Sequence, residues 1–149
     1  MTDFKFALPV VADQKAIQEG VFFDVTDSKG VHWAKFKLRH LNDKSREGIR
    51  TLLKVSMKFE KRSREAGDDA LKKFDVDFDS SLHLLTDLLL TDWKDVKDAD
   101  GNEVPFSKEA AKAYFAQSAT NWMVPQLIEL ASNPANYETE IDVEEVAGN

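Results

Sequence analysis

The residues with the most obvious chemical potential lie in KDADGNE, positions 97 to 103. Asp98 and Asp100 alternate ahead of Gly101, the order in which an EF-hand loop sets ligands at positions 3 and 5 and its turn glycine at 6. In that register position 1 falls on Val96 and position 12 on Ser107, so two oxygen donors are missing. The segment reads as an Asp/Gly turn and not as a metal site. Three histidines, His32, His40 and His83, form no HExxH pair, and none adjoins a nucleophile. Each reads as a structural or exposed imidazole. With no cysteine, thiolate metal sites, Cys nucleophiles and disulfides are excluded. There is no GxxxxGK[ST] phosphate loop, and paired carboxylates occur only on charge-rich segments where nothing would tune one against the other. The expectation is a protein that is not an enzyme, with no catalytic residue, metal or cofactor.

Composition narrows the alternatives. At 149 residues the chain suits one domain with a real core, and 42% hydrophobic content is enough to build it. No apolar run approaches the roughly 20 residues that span a bilayer. The start, MTDFKFALPVV, lacks the basic region and uncharged apolar block of a secretory leader. Net charge is −7, unevenly spread: positions 35 to 73 hold 13 basic and 6 acidic residues, positions 87 to 149 hold 4 and 13. Such a polar molecule reads first as solvated helix faces, and second as one able to associate head to tail or to offer different surfaces to different partners. Lys54, Lys58, Lys61, Arg62 and Arg64 raise the question of nucleic acid. They wrap several faces, are diluted by Glu60 and Glu65, and belong to a chain of pI about 5.0, so nucleic-acid binding is disfavoured.

The elements that must position these groups follow from periodicity. Phe4–Leu8 has the look of an edge strand stopped by Pro9, and Asp13–Gly20 of one helical turn closed by glycine. VFFDVT (Val21–Thr26) and VHWAKFKL (Val31–Leu38) flank Asp27-Ser28-Lys29-Gly30, a hairpin turn with Asp at its start and Gly at the left-handed position. Ala34, Phe36 and Leu38 alternate with Lys35, Lys37 and Arg39, giving one buried and one wet face. A long helix is expected over Asp43–Ala66, with Ile49, Leu52, Leu53, Ser56 and Phe59 at helical spacing. A short piece follows at Ala70–Phe74. A Leu-dense central helix, capped by Asp79 or Ser80, then runs to about Trp93. Ser107 should cap the next helix, with Glu109 in its first turn and Ala110, Ala111, Ala113, Tyr114 and Phe115 carrying it. Around Gln117–Asn121 the chain breaks or bends before a final helix that holds Trp122, Pro125, Leu127, Ile128 and Leu130 and ends at Asn133-Pro134. The acidic stretch from 135 to 149 reads as a disordered tail, dispensable for folding from Tyr137 onward. The fold class is mainly α with a small N-terminal hairpin at about 21–39, a compact α+β bundle of four to five helices in a single domain spanning 1–134.

This order of parts resembles the tail assembly chaperones of long-tailed bacteriophages. The resemblance is carried by Gly20–Val25, the turn Asp27–Gly30, Phe36–Arg39, Leu89–Trp93, the acidic turn Asp98–Gly101, and Pro105-Phe106-Ser107 opening a helix. It covers positions from about 20 to 130, most strongly in TDWKDVKDADGNEVPFS, whereas Arg64–Asp79 and the first 15 residues match nothing in the family. The resemblance implies a non-enzymatic role in tail morphogenesis: holding the long tape-measure protein soluble while tail-tube subunits polymerise around it. It also implies a location in the host cytoplasm and absence from the mature virion. In many relatives a translational frameshift adds a domain that recruits tube subunits.

A chaperone of this kind needs exposed apolar surface and complementary charge. The candidate partner-binding residues are Phe36 and Leu38 on the hairpin, Lys54, Lys58, Lys61 and Arg62 on the basic helix, and the aromatics Trp93 and Trp122. Ordinary core packing is the competing reading for the aromatics. Competing functions are a structural tail or connector component and a phage-encoded inhibitor of a host protein.

Overall fold

Alternation in the N-terminal third builds the sheet around which the molecule packs. The computed structural model describes residues 4–8 and 10–140. Strand β2 (Val21–Thr26) pairs antiparallel with β3 (His32–Leu38), setting Phe23 opposite Phe36. The Asp27 carboxylate organises the turn: it accepts the Lys29 and Val31 backbone N–H groups and, at 3.1 Å, the Trp33 indole N–H. That indole bond, then the Val31 N–H, hold its carboxyl below the usual carboxylate range. Gly30 takes φ +83°, the left-handed geometry this turn requires.

The sheet has a third strand. Leu90–Lys94, expected at the end of a helix, is strand β4, antiparallel to β3 with Phe36 opposite Trp93, so β3 is central in the order β2-β3-β4. Leu89 and Trp93 are four apart, and a spacing of four falls on one face in a helix and in a strand alike. The chain reaches β4 with no intervening loop. Helix α3 (Ala70–His83) passes directly into a π-helical turn, Leu84–Leu89, closed by the Leu90 N–H on the Leu85 carbonyl. Helix α3 is also continuous through Asp75–Asp79, where the sequence suggested an interruption; Asp75, Asp77 and Asp79 lie on exposed positions and do not break it.

The remaining helices follow their caps. Asp13 caps the short α1 (Gln14–Glu19), Ser45 caps α2 (Arg46–Ala66), and Asp69 caps α3. The Ser107 hydroxyl accepts the Ala110 N–H at the start of α4 (Lys108–Phe115). Helix α5 spans Met123–Ser132. The chain breaks between α4 and α5, where the Thr120 hydroxyl donates to the Tyr114 carbonyl. Phe4–Leu8 forms no strand; instead β1 is Val10–Ala12, beyond Pro9, which lies outside the described residues.

The core lies between the sheet and helices α4 and α5. Ala34, Phe36 and Leu38 are fully buried, as are Leu85, Ala111, Phe115, Met123, Leu127 and Ala131. Phe36 is the hub, with ring centroids of Phe115 at 5.2 Å, Tyr114 at 6.0 Å and Trp93 at 6.5 Å. Burying a ring of this size contributes on the order of 2–3 kcal/mol in transfer free energy, and the tilted ring pairs add to it. The architecture is α+β: among the described residues, five α-helices with a small three-stranded antiparallel sheet and a two-stranded β1-β5 pair.

The domain extends past 134. Residues 134–137 form a 3-10 turn that buries Tyr137, and β5 (Glu138–Glu140) pairs antiparallel with β1. The expectation of a disordered tail is overturned for 135–140: one large aromatic with a place in the core outweighs acidic neighbours. Residues 141–149 lie outside the described residues.

Candidate protein-binding surface

Helix α2 is amphipathic yet carries almost none of the core. Of its 21 residues only Ala66 is buried. Its inner side meets α3, where the Phe59 ring packs on His83 at 5.4 Å and Arg62 pairs with Asp79 at 2.8 Å. Below, His83 contacts Asp87, which Lys112 of α4 approaches at 3.1 Å. The helical hairpin is thus tied to the body at its π-helical root. Burial is the main reason the His83 pKa is lowered; Asp87 pulls it back up, and the neighbouring Lys58 and Lys112 add to the lowering.

The outer side of α2 is apolar and bare. Ile49, Leu53 and Met57, spaced i, i+4, i+8, are 52, 55 and 66% exposed. Between this helix and the body runs a groove of about 510 Å³, walled by Ile49, Leu52, Leu53 and Ser56 on one side and by His40 and Pro134 on the other. His40 is fixed there: its Nδ1 lies 2.7 Å from the Ala131 carbonyl, which requires that nitrogen to carry the proton, and its ring stacks on Tyr137 at 4.6 Å. The approach of α2 is set by Gly48. A β-carbon at that position would stand 2.5 Å from the Asp43 carbonyl oxygen and 2.4 Å from its carboxyl carbon. Exposed apolar side chains continue on α3 with Leu71 and Phe74.

The residues proposed from sequence divide sharply. Phe36, Leu38 and Trp93 are core and offer no surface; they face inward because β3 is covered on its apolar side by α4 and α5. The Trp93 indole N–H also donates to the Val104 carbonyl at 2.7 Å, using up its polar handle. Trp122 is half-exposed, packs edge-on against Trp33 at 5.6 Å and donates its indole N–H to Ala119. It lines a separate shallow concavity with Asp27 and Gln126. Lys58 and Arg62 lie near the Phe59 ring, at 5.9 and 5.8 Å, on the side toward α3. Lys54 and Lys61 are exposed on α2, Lys61 within 3.9 Å of Glu65. The structure therefore does not gather the eight residues into one site. Ile49, Leu53 and Met57 were missed as surface because helical spacing reports a one-sided helix without saying what that side faces.

Among the described residues no group of three or more His or acidic side chains is placed to hold a metal ion. The Asp98 carboxylate is occupied by the Asp100 and Asn102 N–H groups, which makes this segment a tight turn closed by Gly101 at φ +84°. His32 sits exposed between Asp24 at 3.4 Å and Asp95 at 3.3 Å. Among the described residues, no helix is long and apolar enough to cross a membrane.

Fold and surface together define a small α+β protein whose most distinctive feature is an amphipathic helix with its outer apolar face left uncovered. The chain belongs to the YdaY prophage protein family, whose model matches residues 49–149, and it is of phage origin. No curated protein and no solved structure matches it. The family match opens at Ile49, within α2, and includes α3, β4, α4 and α5.

Proposed function

We propose that the protein is a phage tail assembly chaperone that binds the tape-measure protein and, directly or through a frameshift extension, tail-tube subunits. The observation that carries this reading is the outer face of α2: Ile49, Leu53 and Met57 stand in solvent beside an apolar groove. A folded chain that leaves such a stripe uncovered is suited to take another apolar segment onto it. Prophage family membership supports the setting, and the segments that resemble the tail chaperones, β2, β3 and Leu89–Trp93, converge on one sheet. On this reading the protein acts in the host cytoplasm, without a cofactor, and is absent from the virion.

The test is co-expression with fragments of the tape-measure protein encoded by the same prophage. A soluble complex, and a rise in soluble fragment lost on Leu53→Asp, is the expected result. No complex and no gain in solubility would remove the assignment. Mass spectrometry of purified particles separates a chaperone, which should be missing, from a structural tail or connector component. Pulldown from uninfected host lysate addresses an inhibitor of a host protein.

A further inference from the structure

We infer that the groove on α2 takes an acidic amphipathic helix, with its aliphatic stripe between Ile49 and Leu53 and its carboxylates toward the basic row beside them. The inference rests on the reading of α2 as the client surface and adds the chemistry of what binds there.

Three observations lead to it. The first is shape. Ile49, Leu52, Leu53 and Ser56 recur at the spacing of a helical ridge, and over seven residues the wall they form runs about 10 Å at 1.5 Å per residue. That length suits about two turns of a second helix lying along the first. The second is charge. Arg50, Lys54 and Lys61, at i, i+4 and i+11, form a row directly beside Ile49, Leu53 and Met57, while the groove's other wall carries Asp43 and Lys44, one charge of each sign, and leaves the basic row to set the preference. Arg50 and Lys54 have no acidic partner within ion-pairing distance among the described residues. Helix α2 holds seven basic and three acidic residues in a chain whose net charge is −7. The third is what this pattern disfavours. Two copies pairing through α2 would set like-charged rows against each other, a destabilising arrangement. Nucleic acid would use the basic row but leave the apolar stripe in water.

The test uses the full chain and three designed, fluorescently labelled helical peptides on one alanine-rich background. The first has Leu at i, i+3, i+4 and i+7 with Glu beside them; the second replaces each Glu by Lys; the third replaces each Leu by Gln. Anisotropy titration should show the acidic peptide binding at least tenfold tighter than either of the others, and more weakly as salt is raised. Leu53→Asp and Ile49→Asp should each weaken it tenfold or more, with unchanged circular dichroism. Arg50→Glu with Lys54→Glu should shift the preference toward the lysine peptide, a reversal that loss of structure could not produce. Equal or better binding of the lysine peptide would overturn the inference. So would indifference to Leu53→Asp, displacement of the peptide by duplex DNA without any need for its leucines, or a dimer in sedimentation that Leu53→Asp splits into monomers. Failure is separable from that of the chaperone assignment. Tape-measure capture without acidic-peptide binding sinks this inference alone; peptide binding without tape-measure capture sinks the assignment and leaves the groove's chemistry standing.

Discussion

Tyr137 and Leu38, 99 positions apart, meet through a single hydrogen bond: the phenol donates to the Leu38 carbonyl at 2.9 Å inside the core. The same carbonyl is approached by Gly20, where a β-carbon would stand 3.0 Å from its oxygen at a φ of +101°. The C-terminal turn, the end of β3 and the start of β2 therefore close on one another.

Tyr137→Phe keeps the ring and removes the donor, leaving a buried carbonyl short of its partner. The expected cost is about 1–3 kcal/mol by urea denaturation. Ending the chain at Asn136 also removes the ring and its stacking on His40, so the loss should reach about 3–5 kcal/mol. Burial raises the Tyr137 pKa, so the neutral phenol is favoured in the folded state. That contribution is complete below the unfolded-state value of about 10 and is lost as pH rises beyond it. The alkaline loss of stability should be smaller in Tyr137→Phe. An unaltered denaturation midpoint in the truncated chain would refute the role given to this turn.

What sequence could and could not reveal divides along physical lines. The hairpin, its Asp27–Gly30 turn and the Ser107 cap were legible because each is a local device whose residues act on their own neighbours. Leu90–Lys94 was not, because Leu89 and Trp93 are four apart and the partner strand that decides between periods lies over fifty residues upstream. Tyr137 was hidden by averaging: a composition window full of carboxylates says nothing about one ring with a core position. The binding surface was half legible. Ile49 and Leu53 were visible as a stripe, but a stripe facing solvent and a stripe facing a core are the same sequence.

Gly48 is a place where intrinsic propensity should mislead. Replacing a helical Gly by Ala ordinarily stabilises by about 1 kcal/mol. Here the added carbon would meet the Asp43 backbone oxygen, whose residue also caps Ser45 through its carboxylate at 3.0 Å. Gly48→Ala is therefore expected to be neutral or destabilising and to shift the start of α2, changing the groove. Thermal melting, with peptide titration alongside, checks both effects; a variant stabilised by about 1 kcal/mol with unchanged binding would count against the close approach.

His83 makes the root of the helical hairpin sensitive to acid. Its folded-state pKa is depressed, chiefly by burial, while the unfolded chain titrates near 6.5. Between those two values the unfolded state binds more protons, so stability falls as pH drops below about 6.5 and the loss is complete below the folded value. Asp87, Lys58 and Lys112 face the same imidazole and set how deep the depression is. His83→Gln should flatten the stability profile between pH 7 and 5 relative to the parent. An equal slope in both proteins would place the acid sensitivity elsewhere.

The separation of α2 from the core predicts that surface and scaffold can be damaged independently. Phe36→Ala removes the hub of the aromatic cluster and should cost about 3–5 kcal/mol. Leu53→Asp, at a half-open position, should change stability by no more than about 0.5 kcal/mol while removing client capture. Native-state hydrogen exchange gives the complementary reading. Amides of α2 should open at lower free energy than those of β3, since a helix with one buried residue in 21 depends little on global packing. If α2 proved as protected as β3, or Leu53→Asp unfolded the chain, the stripe would be part of the scaffold and the groove would lose its claim to a partner.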